Sequence, residues 1–289
     1  MSVLVDKDTR LIVQGITGRE GTFHTEQMLA YGTNVVAGVT PGKGGTEVCG
    51  VKVFNTVREA AEFGRANATI LFVPAKFTHA GACEAIDAGL PLVITIAEHV
   101  PVRDMVELYH LARRRGCRLI GPNSFGIISP GKAKAGFMAH HIFSPGPVAY
   151  LSRSATNCYE TVFMATNAGI GQSTAIGVGG DMIPGSTFAD LVPMLQDDPE
   201  TRVIVVIGEI GGSEEELAAE VILRTVTKPV VAMIAGRNAP PDRTMGHAGA
   251  IVAADGTGSA ANKEKALKAA GAHIAESTEH IVDLLKKLV

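Results

Sequence analysis

The segment Arg243-Thr-Met-Gly-His-Ala-Gly-Ala250 sets an imidazole among small residues, just after a strand-like run at Pro229–Ala235. Imidazole is a competent nucleophile that titrates near neutrality. Gly246, Ala248 and Gly249 let a large, charged group approach the ring of His247 and the backbone beside it. A polar loop histidine would look the same in isolation, so the rest of the chain has to decide. Gly208-Glu-Ile-Gly-Gly212 follows another strand-like run, Val203–Ile207. A carboxylate at a strand's C-terminal end, as Glu209 would be, can accept a hydrogen bond from an imidazole, fix its tautomer and raise its basicity. An exposed loop glutamate is the plain alternative. Ser213 and Glu216 have the spacing of a capping box, which accounts for those two residues but not for Glu209.

Ser152-Arg-Ser-Ala-Thr156 lies between a strand and a helix. Hydroxyls and free N–H groups at a helix start make an anion site, with ordinary N-capping as the alternative. Gly179-Gly-Asp181 ends the next strand and reads as a turn. In the first half, Gly15-Ile-Thr-Gly18-Arg-Glu-Gly21 follows the first strand and opens the first helix. That is where an open α/β sheet binds phosphorylated ligands. The spacing is G-x-x-G-x-x-G rather than the dinucleotide G-x-G-x-x-G, which counts against NAD and against a dehydrogenase argued from fold analogy alone. Pro41-Gly-Lys-Gly-Gly45 offers glycine N–H groups and the Lys43 ammonium to a phosphate, but its spacing is not that of a P-loop. Val73-Pro74 and Ile96-Ala-Glu98 end two further strands on the same edge. Glu98 suits a hydrogen bond to a ribose or amide, or a solvated strand end.

These residues need a frame that brings strand ends together. Short apolar, β-branched runs (Leu11–Val13, Asn34–Val39, Thr69–Val73, Pro91–Ile96, Arg118–Ile120) alternate with helical patterns at Thr22–Tyr31, Thr78–Ala88 and Arg103–Arg115. Each helical pattern ends near a glycine, Gly32, Gly89 or Gly116, as C-terminal capping favours. Gly121–Gly146 breaks the rhythm with three prolines and five glycines and reads as a linker with site loops. The alternation then resumes, with strands at Val148–Leu151, Thr174–Val178, Val203–Ile207, Pro229–Ala235 and His273–Ala275. The helices of this half are expected at Tyr159–Ala168, Glu214–Arg224, Ala260–Ala270 and Glu279–Leu288. The expectation is an α/β protein with parallel, doubly wound sheets: a first domain over 1–125, a linker over 126–146 and a second domain over 147–289.

Composition narrows the function. At 289 residues, 46% apolar and 19% charged, the chain fits a compact α/β protein of about two domains. A net charge of −3, a pI near 6.3 and the absence of Trp argue against a nucleic-acid surface. Cys49, Cys83, Cys117 and Cys158 form no C-x-x-C pair, so neither a metal site nor a disulfide framework is expected, and a reducing compartment is favoured. No apolar run approaches the ~20 residues of a membrane span, and the N-terminus lacks a signal-peptide layout. The default expectation is cytoplasmic, with a mature mitochondrial matrix protein as the alternative.

Taken together, the motifs resemble a family. Gly-Ile-Thr-Gly-Arg-Glu-Gly-Thr-Phe-His (15–24), Thr-Pro-Gly-Lys-Gly-Gly (40–45), Val-Phe-Asn-Thr-Val (53–57), Gly-Glu-Ile-Gly-Gly (208–212) and Met-Gly-His-Ala-Gly-Ala-Ile (245–251) match the α subunits of succinyl-CoA synthetase, the succinate–CoA ligases, over Val3–Leu288. The resemblance implies a Rossmann-like CoA-binding domain followed by a flavodoxin-like ligase domain. It implies that His247 takes a phosphoryl group from ATP or GTP, oriented by Glu209, and passes it to a carboxylic acid, whose acyl phosphate the CoA thiol then attacks. By the same resemblance Thr17, Gly18, Arg19, Glu20, Lys43, Ile96, Ala97 and Glu98 line the coenzyme A site, together with Val73 and Pro74 of the same edge. Asn123 lies nearby, Ser154 and Thr156 hold phosphate or carboxylate, and Tyr159 touches the acid. A β subunit of ATP-grasp type, in an αβ or (αβ)₂ assembly, carries the nucleotide and Mg²⁺.

The chain departs from the family pattern at Ala97, His99, Ser124, Phe125, Ala139, His140, Ala155 and Cys158. Ala155 adds a β-carbon where the family bares its backbone, and Phe125 adds bulk near the expected thiol and acid. Residues 179–188 look more like the related region of ATP-citrate lyase. The alternatives are therefore a malate, citrate or other dicarboxylate or tricarboxylate ligase subunit, or a CoA-binding regulatory protein without phosphoryl transfer.

Overall fold

The computed structural model describes residues 2–240, 242–247 and 249–289. Ala248, part of the small-residue flank of His247, lies outside them. The first half runs β1 (Leu11–Gln14), α1 (Arg19–Ala30), β2 (Val35–Val39), β3 (Glu47–Val48), β4 (Val51–Phe54) and α2 (Val57–Gly64). It continues through β5 (Ala68–Leu71), α3 (Ala75–Asp87), β6 (Leu92–Thr95), α4 (Val102–Arg115) and β7 (Arg118–Ile120). Its seven strands lie in the order β3-β4-β2-β1-β5-β6-β7, parallel except for the short β3–β4 pair. Strand order reverses between β1 and β5, so a crevice opens beyond their C-terminal ends.

The second half runs β8 (Gly126–Ser129), β9 (Ala133–Gly136), β10 (Pro145–Ser152), α5 (Ala155–Asn167), β11 (Gln172–Gly177), α6 (Phe188–Asp197) and β12 (Val203–Glu209). α7 (Glu214–Thr225), β13 (Val230–Ala235), α8 (Ala260–Ala269), β14 (His273–Ile274) and α9 (Thr278–Leu288) complete it. Its strand order is β14-β13-β12-β10-β11-β8-β9. The parallel part has the flavodoxin-type order, with its switch point between β10 and β12.

Both sheets are buried on two faces, which is why their strands read as continuous apolar runs. β12, Val-Ile-Val-Val-Ile-Gly-Glu, is buried at every position. Each fully buried Val, Ile or Leu contributes on the order of 1.5–3 kcal/mol relative to an exposed one. Gly32, Gly89 and Gly116 follow or cap α1, α3 and α4 at positive φ.

Two local expectations are corrected. The stretch expected as a linker, 126–146, holds β8 and β9, which extend the second sheet antiparallel from β11. They also clamp the first half. Thr33 exchanges hydrogen bonds with the backbone of Lys134, and Ser129 Oγ donates to Val5 O at 2.7 Å. The prolines and glycines there shape a hairpin and its approach rather than a flexible tether. The capping box at Ser213 and Glu216 does not form. Ser213 makes no side-chain cap, and Glu216 turns instead to Lys263 at 3.3 Å, where a buried ammonium outcompetes an exposed helix N-terminus. Among the described residues no helix is long and apolar enough to cross a membrane.

Candidate functional site

His247 and Glu209 meet at the switch point of the second sheet. Glu209 is the last residue of β12, and its side chain is almost completely buried. Its Oε2 lies 2.6 Å from Nδ1 of His247. An ionised carboxylate can only accept, so Nδ1 carries the proton and Nε2 of the neutral ring carries the lone pair. Nε2 makes no hydrogen bond among the described residues. The hydrogen bond that Nδ1 donates to Glu209 is the largest influence on the ring and raises its pKa above 6.5. Burial opposes it, the charge of Glu209 adds to it, Arg153 opposes it and Asp181 adds to it.

Arg153 follows β10 directly and is 5% exposed. Its Nε lies 3.2 Å from Oε1 of Glu209, an ion pair without an aligned hydrogen bond, and its Nη2 donates to Asp181 O at 3.4 Å. The buried arginine sets a positive charge beside Glu209 in a place where a lone carboxylate would be costly. Gly180 lies flat against the imidazole: a β-carbon there would overlap Nδ1, Cγ and Cε1 of His247. Glycine at this position is therefore a matter of space rather than of turn geometry.

Asp181 is buried and accepts a hydrogen bond from Nδ2 of Asn123 at 3.1 Å, while its Oδ2 has no partner. Burial raises its pKa above the usual carboxylate value, opposed by the Asn123 hydrogen bond. Asn123 also ties the two halves through its backbone. Its N–H donates to Ala97 O at 2.8 Å, and its carbonyl accepts from Gly180 N at 3.2 Å. The expected coenzyme loop and the histidine site thus share one residue.

Ser154 caps α5 through its Oγ, which accepts from Asn157 N at 3.3 Å. Ala155 opens that helix with no positive φ, so its β-carbon brings no backbone strain. Thr156 is exposed in the same first turn. Tyr159 stands apart from this cluster. Its ring packs near Phe125 and Phe143, with centroids 5.5 and 6.4 Å away, and its hydroxyl is buried without a partner, which pushes its pKa up. Phe125 is itself 2% exposed, so its bulk lies in the core and not in an open pocket. Ser124 is buried too and donates to Gly177 O at 2.6 Å.

At the switch point of the first sheet the site is built of glycine backbone and largely apolar side chains. Gly15 at φ +75° and Gly21 in α1 approach so closely that a β-carbon on either would overlap main-chain atoms. α1 opens at Gly18 with no side-chain cap, which leaves N–H groups at a helix N-terminus for an anion. A cavity of about 520 Å³ is lined by Gly15, Thr17, Gly18, Val73, Pro74 and Phe77 among others. A second, of about 460 Å³, shares Phe72, Val73 and Pro74 with it and adds Glu20, His24, Ile96, Ala97 and Phe137.

Besides Asn123, three expected coenzyme residues lie outside these walls. Arg19 is exposed and pairs with Glu20 at 3.0 Å, Glu98 pairs with His99 at 3.3 Å, and Lys43 is exposed on its loop. The glycine N–H groups expected to cradle a phosphate beside Lys43 are already taken. Oδ1 of Asn55 accepts from both Gly42 and Gly44 at 2.9 Å. That correction has a visible source, since Asn55 sits in the quoted Val53–Val57 motif and an amide oxygen readily satisfies two loop N–H groups.

Two doubly wound sheets, one with a glycine-lined crevice and one with a histidine–carboxylate pair at its switch point, define a two-domain CoA-ligase architecture. Residues 6–99 match the family model for a CoA binding domain, and residues 151–273 match that for a CoA-ligase. The chain belongs to the succinate–CoA ligase α-subunit family. It is 51% identical to the ADP-forming succinate–CoA ligase subunit alpha of Aquifex aeolicus, over 100% of this chain and 95% of the relative. It is 49% identical to subunit alpha 2 of the corresponding ligase of Archaeoglobus fulgidus, over the full length of both. Among solved structures it is similar to the ATP citrate lyase of Methanothrix soehngenii in complex with citrate and coenzyme A. There the TM-score is 0.88 at 25% identity over 99% of this chain, which spans about half (52%) of the lyase chain.

Proposed function

We propose that this chain is the α subunit of an NDP-forming succinate–CoA ligase in which His247 carries the phosphoryl group. The observation that carries the reading is the 2.6 Å contact between Nδ1 of His247 and Glu209, which fixes the tautomer and reserves Nε2 as the nucleophile. Nε2 attacks the γ-phosphorus of ATP or GTP, and the bond to the leaving diphosphate breaks. A carboxylate oxygen of the acid then takes the phosphoryl group, breaking P–N and regenerating neutral His247. The CoA thiolate attacks the acyl carbon, the C–O bond to phosphate breaks, and inorganic phosphate leaves.

The chain's own residues have separate parts in this sequence. Arg153 and Glu209 hold charge in a dry site, and the start of α5, with Ser154 and Thr156, supplies N–H and hydroxyl donors to the phosphoryl oxygens. Tyr159 would reach the acid only by leaving its apolar contacts. Thr17, Gly18, Arg19, Glu20, Lys43, Val73, Pro74, Ile96, Ala97, Glu98 and Asn123 form the coenzyme A path, with the glycine crevice for the phosphates and the exposed Lys43 as a peripheral charge.

Nucleotide and Mg²⁺ are held mainly by a β subunit of ATP-grasp type, in an αβ or (αβ)₂ assembly that sedimentation of the complex distinguishes. The relatives' designation as α subunits supports this, as does a Lys43 loop whose N–H groups Asn55 occupies. Succinate is the leading acid on the relatives' names, and citrate is the acid to set beside it, because the similar lyase structure contains citrate. The test is to mix the chain with its β partner and γ-labelled ATP or GTP. Acid-labile, base-stable label appears on the wild-type chain and is lost in His247→Asn. Equal labelling of His247→Asn would end the proposal.

A further inference from the structure

Behind Glu209 lies a second carboxylate that the chemistry above does not use. Glu215 of α7 and Lys263 of α8 are both fully buried. Oε1 of Glu215 accepts the backbone N–H of Glu209 at 3.1 Å. Its Oε2 forms a direct ion pair with Nζ of Lys263, which also contacts Oε2 of Glu216 at 3.3 Å. The strand end is shaped to admit this carboxylate, since a β-carbon at Gly208 would overlap Oε1 of Glu215.

Connectivity gives the pair its meaning. α8 is the element that follows the loop bearing His247, and that loop is pinned near its exit, where Gly211 N donates to Gly258 O at 2.7 Å. One carboxylate therefore joins the strand end that carries Glu209 to the helix that closes the His247 loop. A fully buried ion pair is a poor way to gain stability alone, because its desolvation offsets most of its attraction. A hydrogen bond that fixes the backbone behind a functional carboxylate is the kind of support that orients a site.

We propose that Glu215 and Lys263 are positioning residues that hold the main chain of Glu209, and so keep its Oε2 on Nδ1 of His247. The inference rests on the reading of His247 as the phosphoryl carrier. Neither residue contacts the imidazole. The charged groups that influence the imidazole are Glu209, Arg153 and Asp181, whereas Glu215 is faced by Lys263, beside Glu214 and Glu216.

Two double variants separate positioning from charge. Glu215→Leu with Lys263→Met removes the buried pair and the acceptor. Glu215→Gln with Lys263→Met removes the charges but keeps an oxygen for the Glu209 N–H. In the full chain, the His247 titration followed by NMR should move down in the leucine variant. Labelling of that variant in the complex with the β subunit should fall about tenfold or more, as when support behind a functional histidine is lost. The glutamine variant should recover most of both. A leucine variant with wild-type titration and labelling would overturn the proposal, as would a glutamine variant as impaired as the leucine one. Should the leucine variant not fold, amide exchange in Lys263→Met decides: faster exchange at Glu209 N–H with Val205 unchanged is expected, and equal protection at Glu209 would overturn the proposal. The titration needs no nucleotide, so it still reads positioning if His247→Asn labels and the carrier reading itself fails.

Discussion

The two switch points of this molecule solve different problems with different materials. Beyond β1 and β5 the crevice is lined by Gly15, Gly18 and apolar strand ends, and its nearby charges, Arg19, Lys43 and Glu98, are exposed. Beyond β10 and β12 the side chains of Arg153 and Glu209 are 4% and 8% exposed, and Glu215 and Lys263 behind them are fully buried. The difference teaches what each ligand demands. On the proposed function, a long, flexible coenzyme is met by surface, backbone N–H groups and peripheral charge that water can share. A phosphoryl group in transit needs charges fixed in advance and shielded from water, where they act strongly and do not reorganise.

The sharpest way to break the comparison is at Arg153. Arg153→Met leaves Glu209 buried without its cation, which should cost about 3–5 kcal/mol, read as a lowered denaturation midpoint. A loss below about 1 kcal/mol, the value of a surface pair, would place the second switch point in the same class as the first.

The next effect is in pH. The folded pKa of His247 is raised, so its charged contact with Glu209 contributes stability in full below pH 6.5 and loses it as pH rises through the higher folded value. On the proposed function, phosphorylation uses the neutral ring and should run the other way, rising with pH through a midpoint above 6.5. Glu209→Gln should bring that midpoint back toward 6.5 and slow labelling. An unchanged midpoint would remove Glu209 from control of the ring.

The smallest effect is expected at Lys43. An exposed charge contributes at most about 1 kcal/mol, so Lys43→Ala should weaken coenzyme A binding by about fivefold or less, with a reduced dependence on salt. Calorimetric titration at two ionic strengths checks both. A hundredfold loss would mean that Lys43 is drawn into a dry site on binding.

Much of this frame was legible in the residues. Parallel strands buried on both faces announce themselves as unbroken β-branched runs, and β12 and β13 were read to within two residues at either end. Helices were harder where punctuation misled. α6 contains Pro193, which reads as a breaker, and α2 spans only Val57–Gly64; their capping boxes at Thr187–Asp190 and Thr56–Glu59 were the available signals. The hairpin of β8 and β9 was hidden by its prolines and glycines, and the elements it packs on, strand β11 and helix α1, lie far off in the chain.

At the site, the small-residue flank exposed His247 and the unexplained Glu209 supplied its partner. Arg153, Asp181, Glu215 and Lys263 left little trace. Their importance comes from burial and from contacts that, apart from Glu215 on the Glu209 N–H, span 28 to 58 positions, which local pattern does not encode. Arg153 stood inside a hydroxyl-rich motif, and a lone arginine at a buried strand end was the available signal.

The most direct test of the central claim is a single turnover of the phosphorylated chain. The complex with the β subunit is labelled from γ-labelled nucleotide, freed of nucleotide, and given succinate and coenzyme A. One acyl-CoA and one labelled inorganic phosphate should appear for each phosphate lost from His247, with no thioester formed when succinate is withheld. Release of the label to water at the same rate with no thioester formed, or label mapped to a residue other than His247, would contradict the account.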